Sequence, residues 1–353
     1  MIKSNKHIEI VRSTTKTLSS MSQRSCDALY AVLAKHFVRV GVTIVNDLSD
    51  LDALAASHPD LVFLGMEFVP TDQSLGIDDP NKVWLSDFLD QHDIAYTGSR
   101  QTAYELGRDK SLAKQRVLNA NLATSAFCVI RPNQSWDKHD VTLDFPLFVK
   151  PTNRGGGLGI DCDSVVHNFE QLRSKVHAIT TKYQSDALIE EYLPGREFSV
   201  AILKDAYSPV YVAMPIELVA PPDQNGSRLL SGQVKAADAE QVLEVTDTMV
   251  RSKVTALALD VFYALGARDY GRIDIRLDSA GTPHFLEANL IPSLISGYGS
   301  FPKACVLNIG LEYEPMMMRI TQLGLARAAR RTPDALDPPA ARSSRALPVL
   351  ETV

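Results

Sequence analysis

The 353-residue chain is short of cysteine, of long apolar runs and of charge of one dominant sign, and each shortage removes a class of protein. Its four cysteines, Cys26, Cys128, Cys162 and Cys305, lie far apart with no C-x-x-C spacing. That excludes a disulfide frame or a cysteine-built zinc site and suits reduced thiols in a cytosolic protein. No stretch approaches the roughly 18 apolar residues of a membrane span. The start, Met1-Ile-Lys-Ser-Asn-Lys6, lacks the apolar heart of a secretory signal. A net charge of −6 gives no electrostatic handle for nucleic acid or an anionic membrane surface. The expected setting is therefore cytoplasmic, with small molecules as partners, no nucleic acid and no membrane. No internal repeat is present, and the eight histidines show no ligand spacing, so they read as structural.

What is present is an alternation of elements. Strand patterns at 7–12, 38–45, 61–65 and 94–98 alternate with helical patterns at 25–37, 48–57 and 83–92. Residues 1–103 thus predict a small N-terminal parallel α/β domain, its ligand edge near 14–20 and 65–72 at the carboxyl ends of the strands. Residues 102–118 predict one helix, followed by strands at 127–130 and 145–150 and a helix at 165–181. Strands are expected at 187–193, 197–203 and 207–217. A Pro/Gly/Asn/Ser-rich loop at 220–232 is long enough to cover a site. Helices are expected at 241–265 and 303–328, and the Pro/Ala/Ser/Arg-biased tail 331–353 reads as disordered. The run 323–331 reads as a solvated helix end, with a homodimer contact as the alternative.

Three stretches carry chemistry. Gly271-Arg-Ile-Asp-Ile-Arg-Leu-Asp-Ser-Ala-Gly-Thr-Pro-His-Phe-Leu-Glu-Ala-Asn289 reads as a β-hairpin turning at 278–281. That register sets Arg272 opposite Glu287 and Asp274 opposite Phe285. It puts Arg272, Asp274, Arg276, Phe285, Glu287 and Asn289 on one face, with Leu286 and His284 on the other. Two carboxylates and an amide oxygen suit a hard cation such as Mg²⁺. An exposed face with cross-strand ion pairs fits the hairpin equally well. In Pro151-Thr-Asn-Arg-Gly-Gly-Gly-Leu-Gly-Ile160, four glycines in five positions can bring backbone N–H groups to a phosphate, with Lys150 as a point charge. A flexible hairpin loop is the plain alternative. The pattern is neither a P-loop nor a Rossmann fingerprint. Glu190, at the end of an apolar strand, can meet a nucleobase or ribose, or be a solvated strand end.

The order of these features, together with Asp109-Lys110, Ile189-Glu-Glu-Tyr-Leu-Pro-Gly-Arg-Glu197 and Phe285-Leu-Glu-Ala-Asn289-x-x-Pro292, resembles the ATP-grasp superfamily, most closely its D-alanine–D-alanine ligase-like branch. Five motifs in order between about residues 94 and 302 carry the resemblance. It implies an ATP-grasp fold: a central subdomain at 104–186 and a C-terminal one at 187–330, both α+β, clamping ATP. It implies an ATP-dependent ligase that forms a C–N bond through an acyl phosphate, with ATP and Mg²⁺ (or Mn²⁺) as cofactors. Lys110 and Lys150 would meet the phosphates under the mobile loop of Gly155, Gly156, Gly157 and Gly159. Glu190, Glu191 and Leu193 would form the adenine-side hinge, and Glu197 would bind the ribose. Lys235 sits where the family often carries another phosphate-side lysine. Asp274, Glu287 and Asn289 would hold the metal, Arg272 would serve catalysis and substrate, and Ser293 and Ser300 the substrate. Departures fall on the substrate side, at Phe63–Asp72, at Gly156 and Gly157 where the family holds serines, at 221–228 and at Ser293. They imply an acid, an amine or both other than D-alanine. A nucleotide-binding scaffold without catalysis, or a carboxylate kinase without an amine acceptor, are the competing readings.

Overall fold

The structure, a computed structural model, describes residues 2–205, 208–223 and 226–330. The tail 331–353 and the expected strand start at Tyr207 lie outside the described residues.

Strand β1 (Ser4–Arg12) is followed by helix α1 (Gln23–His36), β2 (Phe37–Ile44), α2 (Leu48–Ala56) and β3 (Leu61–Leu64). The three strands form a parallel sheet of order β2-β1-β3. Ile8 and Ile10 of β1 pack on Leu29 and Leu33 of α1, while Val11 packs with Leu51 and Leu54 of α2, so the middle strand is covered on both sides. A short pair, β4 (Phe68–Val69) and β5 (Val83–Trp84), leads into α3 (Leu85–Gln91). The expected strand at 94–98 makes only one bridge to β3, Val62 to Tyr96.

The helix expected over 102–118 is two helices, α4 (Gln101–Arg108) and α5 (Lys110–Asn119). Asp109 between them is extended, and its carboxylate accepts from the N–H groups of Ser111 and Leu112. The central sheet follows: β6 (Phe127–Ile130), β7 (Leu147–Pro151), β8 (Val165–Val166), helix α6 (Phe169–Lys182) and β9 (Ala187–Glu191), in antiparallel order β6-β9-β7-β8. It keeps its own core, in which Val149 and Ile189 meet Leu172, Val176 and Ile179 of α6.

The last sheet comprises β10 (Glu197–Lys204), β11 (Tyr211–Val219), β12 (Gln241–Glu244), β13 (Tyr270–Leu277) and β14 (Pro283–Asn289), with the short helix α7 (Gly232–Ala236) before β12 and helix α8 (Thr248–Ala264) after it. Its antiparallel order is β12-β11-β10-β13-β14. The helix expected over 241–265 thus begins as an edge strand and becomes helical only after Asp247, which caps Met249 and Val250. The single helix expected at 303–328 is α9 (Ser300–Ile309) and α10 (Tyr313–Arg330). Gly310 ends α9 at φ 62°, a left-handed stop that glycine takes without a Cβ penalty. The core is shared along the chain: Val62 and Leu64 join Phe262, Ile273 and Phe285 in one cluster. In another, Ile8 and Ile10 join Met316 and Ile320 of α10.

Candidate active site

The β13–β14 hairpin has a register different from the one its turn chemistry suggested. Asp278 N–H bonds to the carbonyl of Thr282, and Gly281 sits at φ 78°, so the connection is one residue longer than a four-residue turn. A further irregularity follows Asp274: Ile275 pairs with Phe285, but Asp274 pairs with Glu287 and Arg272 with Asn289, leaving Leu286 as an extra residue. Phe285 therefore enters the core instead of the polar face. His284, expected on the opposite face, is the cross-strand neighbour of Arg276 and bonds Asp278 at 3.1 Å. The bulge keeps Arg272, Asp274, Glu287 and Asn289 together and sets the two carboxylates directly across from each other.

On this face Asp274 is held tightly. It accepts from Ser199 Oγ at 2.8 Å, from Arg272 Nε and Nη2 at 3.0 and 2.8 Å, and from Asn289 Nδ2 at 3.3 Å. Arg272 Nη1 also donates to Ser300 Oγ at 3.2 Å, so the N-terminus of α9 closes this side. Glu287 meets Lys110 Nζ at 3.4 Å. Burial works to raise the Glu287 carboxyl, but Lys110, Lys235, Lys150 and Arg272 outweigh it and hold the group well below the usual carboxylate range. Glu287 is thus an anion inside a ring of cations. Two carboxylates and the amide oxygen of Asn289 are the donor set a hard divalent cation takes, and Glu287, whose one salt-bridge partner among the described residues is Lys110 at 3.4 Å, has acceptor capacity to spare.

Lys110 reaches this point because α4 ends at Asp109. Its N–H bonds to Thr152 O at 3.0 Å, and its ammonium donates to Arg154 O at 2.8 Å. That carbonyl immediately precedes the glycine loop. Arg154 itself makes two 2.8 Å bonds to Asp78. Gly155 and Gly156 line the main cavity. Gly157, at φ 77°, lies so near the start of α7 that a Cβ there would stand 2.6 Å from the Gly232 nitrogen. Gly159 is turned away and packs on the Pro151 ring. Lys235, on α7, borders both cavities of the site.

The main cavity, about 670 Å³, runs from Arg272, Asp274, Glu287, Asn289, Ser293 and Ser300 to the 16–20 loop after β1 and to Glu67 after β3. A second, of about 70 Å³, is bordered by Lys150, Glu190, Glu191, Leu193 and Glu197, and shares Lys235, Asp274 and Glu287 with the first. Every site residue expected from the sequence except Gly157 and Gly159 thus borders one of two adjoining cavities. Glu190 borders the smaller cavity but is not a solvated strand end. It is 2 % exposed, with Lys114 Nζ at 2.7 Å on one oxygen and Lys150 Nζ at 2.6 Å on the other. Burial pushes its carboxyl up, but Lys114 and Lys150 outweigh that and bring it down to about 2. Glu197 pairs with Arg276 at 3.0 Å, and Arg276 also donates to Arg228 O in the cover loop at 3.1 Å. Burial raises the Glu197 carboxyl despite Arg276.

Sequence reasoning put Arg276 on the polar face without a role, and it missed Lys114, Arg154 and the pair Glu67–Arg108. Lys114 was findable, since it stands one helical turn after Lys110. Glu67 and Arg108 were not, because 41 residues separate them and they meet only in space, at 3.4 Å. Burial raises the Glu67 carboxyl above its ordinary value against the pull of Arg108. Arg108 also lies over the Phe68 ring, 4.5 Å from its centre.

Known proteins resemble the chain in sequence and in fold. Residues 117–322 match the family described as D-ala D-ala ligase C-terminus. An uncharacterized protein, y4sG, of Sinorhizobium fredii is 34% identical over 211 residues, 58% of this chain and 60% of the relative, so the chain spans under two thirds of that protein. A D-alanine–D-alanine ligase of Marinomonas is 30% identical over 230 residues, 64% of this chain and 68% of the relative. In structure, a Bacillus anthracis D-alanine–D-alanine ligase solved with ATP superposes at a TM-score of 0.72 and 18% identity, covering 94% of this chain and all of that one. One from Coxiella burnetii gives a TM-score of 0.65 and 16% identity, over 92% of this chain and 95% of that one.

Proposed function

The chain belongs to the D-alanine–D-alanine ligase family of ATP-grasp ligases, and from that premise we propose that it is an ATP-dependent carboxylate–amine ligase working through an acyl phosphate, with an acid, an amine or both other than D-alanine. The observation that carries the reading is the Asp274–Glu287 pair, set face to face within a ring of Lys110, Lys150, Lys235 and Arg272.

ATP would lie between the central segment 104–186 and the C-terminal segment 187–330, its base in the smaller cavity beside Glu190, Glu191 and Leu193. Glu197 is the acceptor for a ribose hydroxyl. The backbone of Gly155–Gly157 and the ammoniums of Lys110, Lys150 and Lys235 meet the phosphates. Asp274, Glu287 and Asn289 fit a Mg²⁺ ion, which when bound neutralises charge on the phosphates. Transfer of a phosphoryl group to a carboxylate brings two anions together, so the chain's task is alignment and charge neutralisation. Arg272, fixed by Asp274 and Ser300, faces the negative charge that grows as the acid oxygen takes the γ-phosphoryl group. The amine then attacks the acyl carbon, phosphate leaves, and one proton is released. An acyl phosphate hydrolyses in open water, which is what the contact of Gly157 with Gly232 excludes on one side.

The substrate end of the main cavity supports a choice other than two D-alanines: it is bordered by Lys16, Ser19, Ser20, Glu67, Arg108 and Ser293, of which Glu67 and Ser293 lie where the chain departs from the family pattern. Among the described residues no helix is long and apolar enough to cross a membrane. We place the protein in the cytoplasm, where ATP is supplied.

The test is ADP release from the purified protein with MgATP against amino acids, singly and in pairs, with mass spectrometry of products. Release that needs a pair, with a product of condensed mass, is the expected result. Release with one acid and no condensation would make it a carboxylate kinase. Efficient D-alanyl-D-alanine formation would remove the substrate claim.

A further inference from the structure

Lys114 borders neither cavity, yet it is among the most deeply buried charges of the chain, 0% exposed. It lies one turn beyond Lys110 on α5, on the same helix face. Its three donors are all used: Thr124 Oγ1 at 2.7 Å, Ser125 Oγ at 2.8 Å and Glu190 Oε2 at 2.7 Å. Ser125 adds a bond to the same Glu190 oxygen at 3.0 Å, and Thr124 donates to Phe285 O at 2.7 Å, two residues before Glu287. The other Glu190 oxygen meets Lys150 at 2.6 Å, and among the described residues the Lys150 ammonium makes no other hydrogen bond or salt bridge, Glu287 acting on it only from farther away. Lys150 therefore faces the smaller cavity with two of its three N–H donors unspent.

Charge counting shows what Lys114 adds. Glu190 and Lys150 alone sum to zero, and a buried pair of that kind holds its partners to each other. With Lys114 behind it, the carboxylate is shared, the cluster carries one net positive charge, and the surplus sits at the end that faces the cavity. We propose that Lys114 is a positioning residue for the nucleotide: by taking half of Glu190 from behind, it leaves the Lys150 ammonium with charge and donors for a polyphosphate. The inference rests on the nucleotide reading given above and extends it to a side chain that touches no ligand.

The experiment is equilibrium titration of the full chain with MgATP at fixed ionic strength, for wild type, Lys114→Met and the double variant Lys114→Met/Glu190→Gln. With Lys114→Met, Glu190 has only Lys150, and the Kd for MgATP is expected to rise about tenfold or more, the scale of one charge-assisted hydrogen bond. In the double variant Lys150 has no carboxylate to hold it, and affinity is expected to recover by at least about threefold over the single variant. A packing role predicts no recovery. Wild-type affinity in Lys114→Met, or a double variant as weak as the single one, overturns the proposal. If Lys114→Met does not fold, Lys114→Gln, a neutral side chain that still donates to Glu190, replaces it. It is expected to lose affinity in the same direction, and wild-type affinity there is equally fatal. A wild-type chain that does not bind MgATP overturns the proposed function and this inference with it. Normal binding with an unaffected Lys114 variant overturns this inference alone.

Discussion

Asp274 and Glu287 are direct cross-strand partners only because β14 carries one residue more than its neighbour between them and the turn. Were Leu286 paired and not bulged, Phe285 and Glu287 would share a face, and with the turn-side pairing of Ile275 and Phe285 kept, Glu287 would move to the core side beside Phe285. The bulge thus decides whether the hairpin is a site or an ordinary buried ladder.

From this pair comes the first expectation. Asp274→Asn and Glu287→Gln each remove one oxygen-borne charge while keeping shape. ADP formation should fall about hundredfold or more in either variant. The Mg²⁺ concentration for half-maximal rate should rise, and chelation of the metal should stop the wild type. Rates in Glu287→Gln equal to wild type at limiting Mg²⁺ would remove the metal assignment.

In the proposed function Glu67 and Arg108 would serve the substrates and not the nucleotide. Their single contact at 3.4 Å is loose, both line the main cavity, and neither meets Asp274 or Glu287. Glu67→Gln should raise the KM of the acid or the amine about tenfold, on the scale of a lost charged hydrogen bond, and leave the KM of ATP unchanged. A change confined to ATP would show that the cavity is oriented the other way.

Much of the site was legible because its chemistry is local. Lys150 before four glycines, Glu190 at a strand end, and the alternation in 270–277 are short-range patterns, and apart from Gly157 and Gly159 the residues expected from them border two joined cavities. Element borders failed where one side chain cuts an otherwise continuous hydrophobic period. Asp109, Asn168 and Asp247 each accept backbone N–H groups and start a helix inside a run that looks uniform. The hairpin register failed for a related reason, since turn residues fix the turn but not a bulge farther along the ladder. Glu67–Arg108 and Arg154–Asp78 were illegible because 41 and 76 residues of chain separate the partners.

The Glu190 cluster makes a pH prediction. Its carboxyl lies at about 2 in the folded chain against an ordinary 4.5, the lysines overcoming burial. A depressed acid stabilises the fold fully above its ordinary value and loses that contribution as pH falls towards the folded one. The stability difference between wild type and Glu190→Gln should therefore be constant near neutrality and shrink as pH drops from 4.5 to about 2. Thermal unfolding of both proteins across that range measures it, and a difference that does not change would mean the carboxyl is not ionised by the lysines.

The glycine loop offers a paired test in which one substitution is the control for the other. Gly156 and Gly157 both have positive φ, 66° and 77°, so alanine at either strains the backbone, by about 1–2 kcal/mol. Only at Gly157 would the new Cβ also meet another segment, the Gly232 nitrogen at 2.6 Å, while at Gly156 it would meet nothing within 4 Å. Backbone strain alone predicts equal losses. A loop that must close on α7 predicts that Gly157→Ala raises the KM of ATP and uncoupled ATP hydrolysis well beyond Gly156→Ala, by a further factor of about ten for each 1.4 kcal/mol of displaced contact. Measuring ADP formed per condensed product in both variants separates the two. Equal coupling in both would mean the approach to Gly232 is incidental to closure.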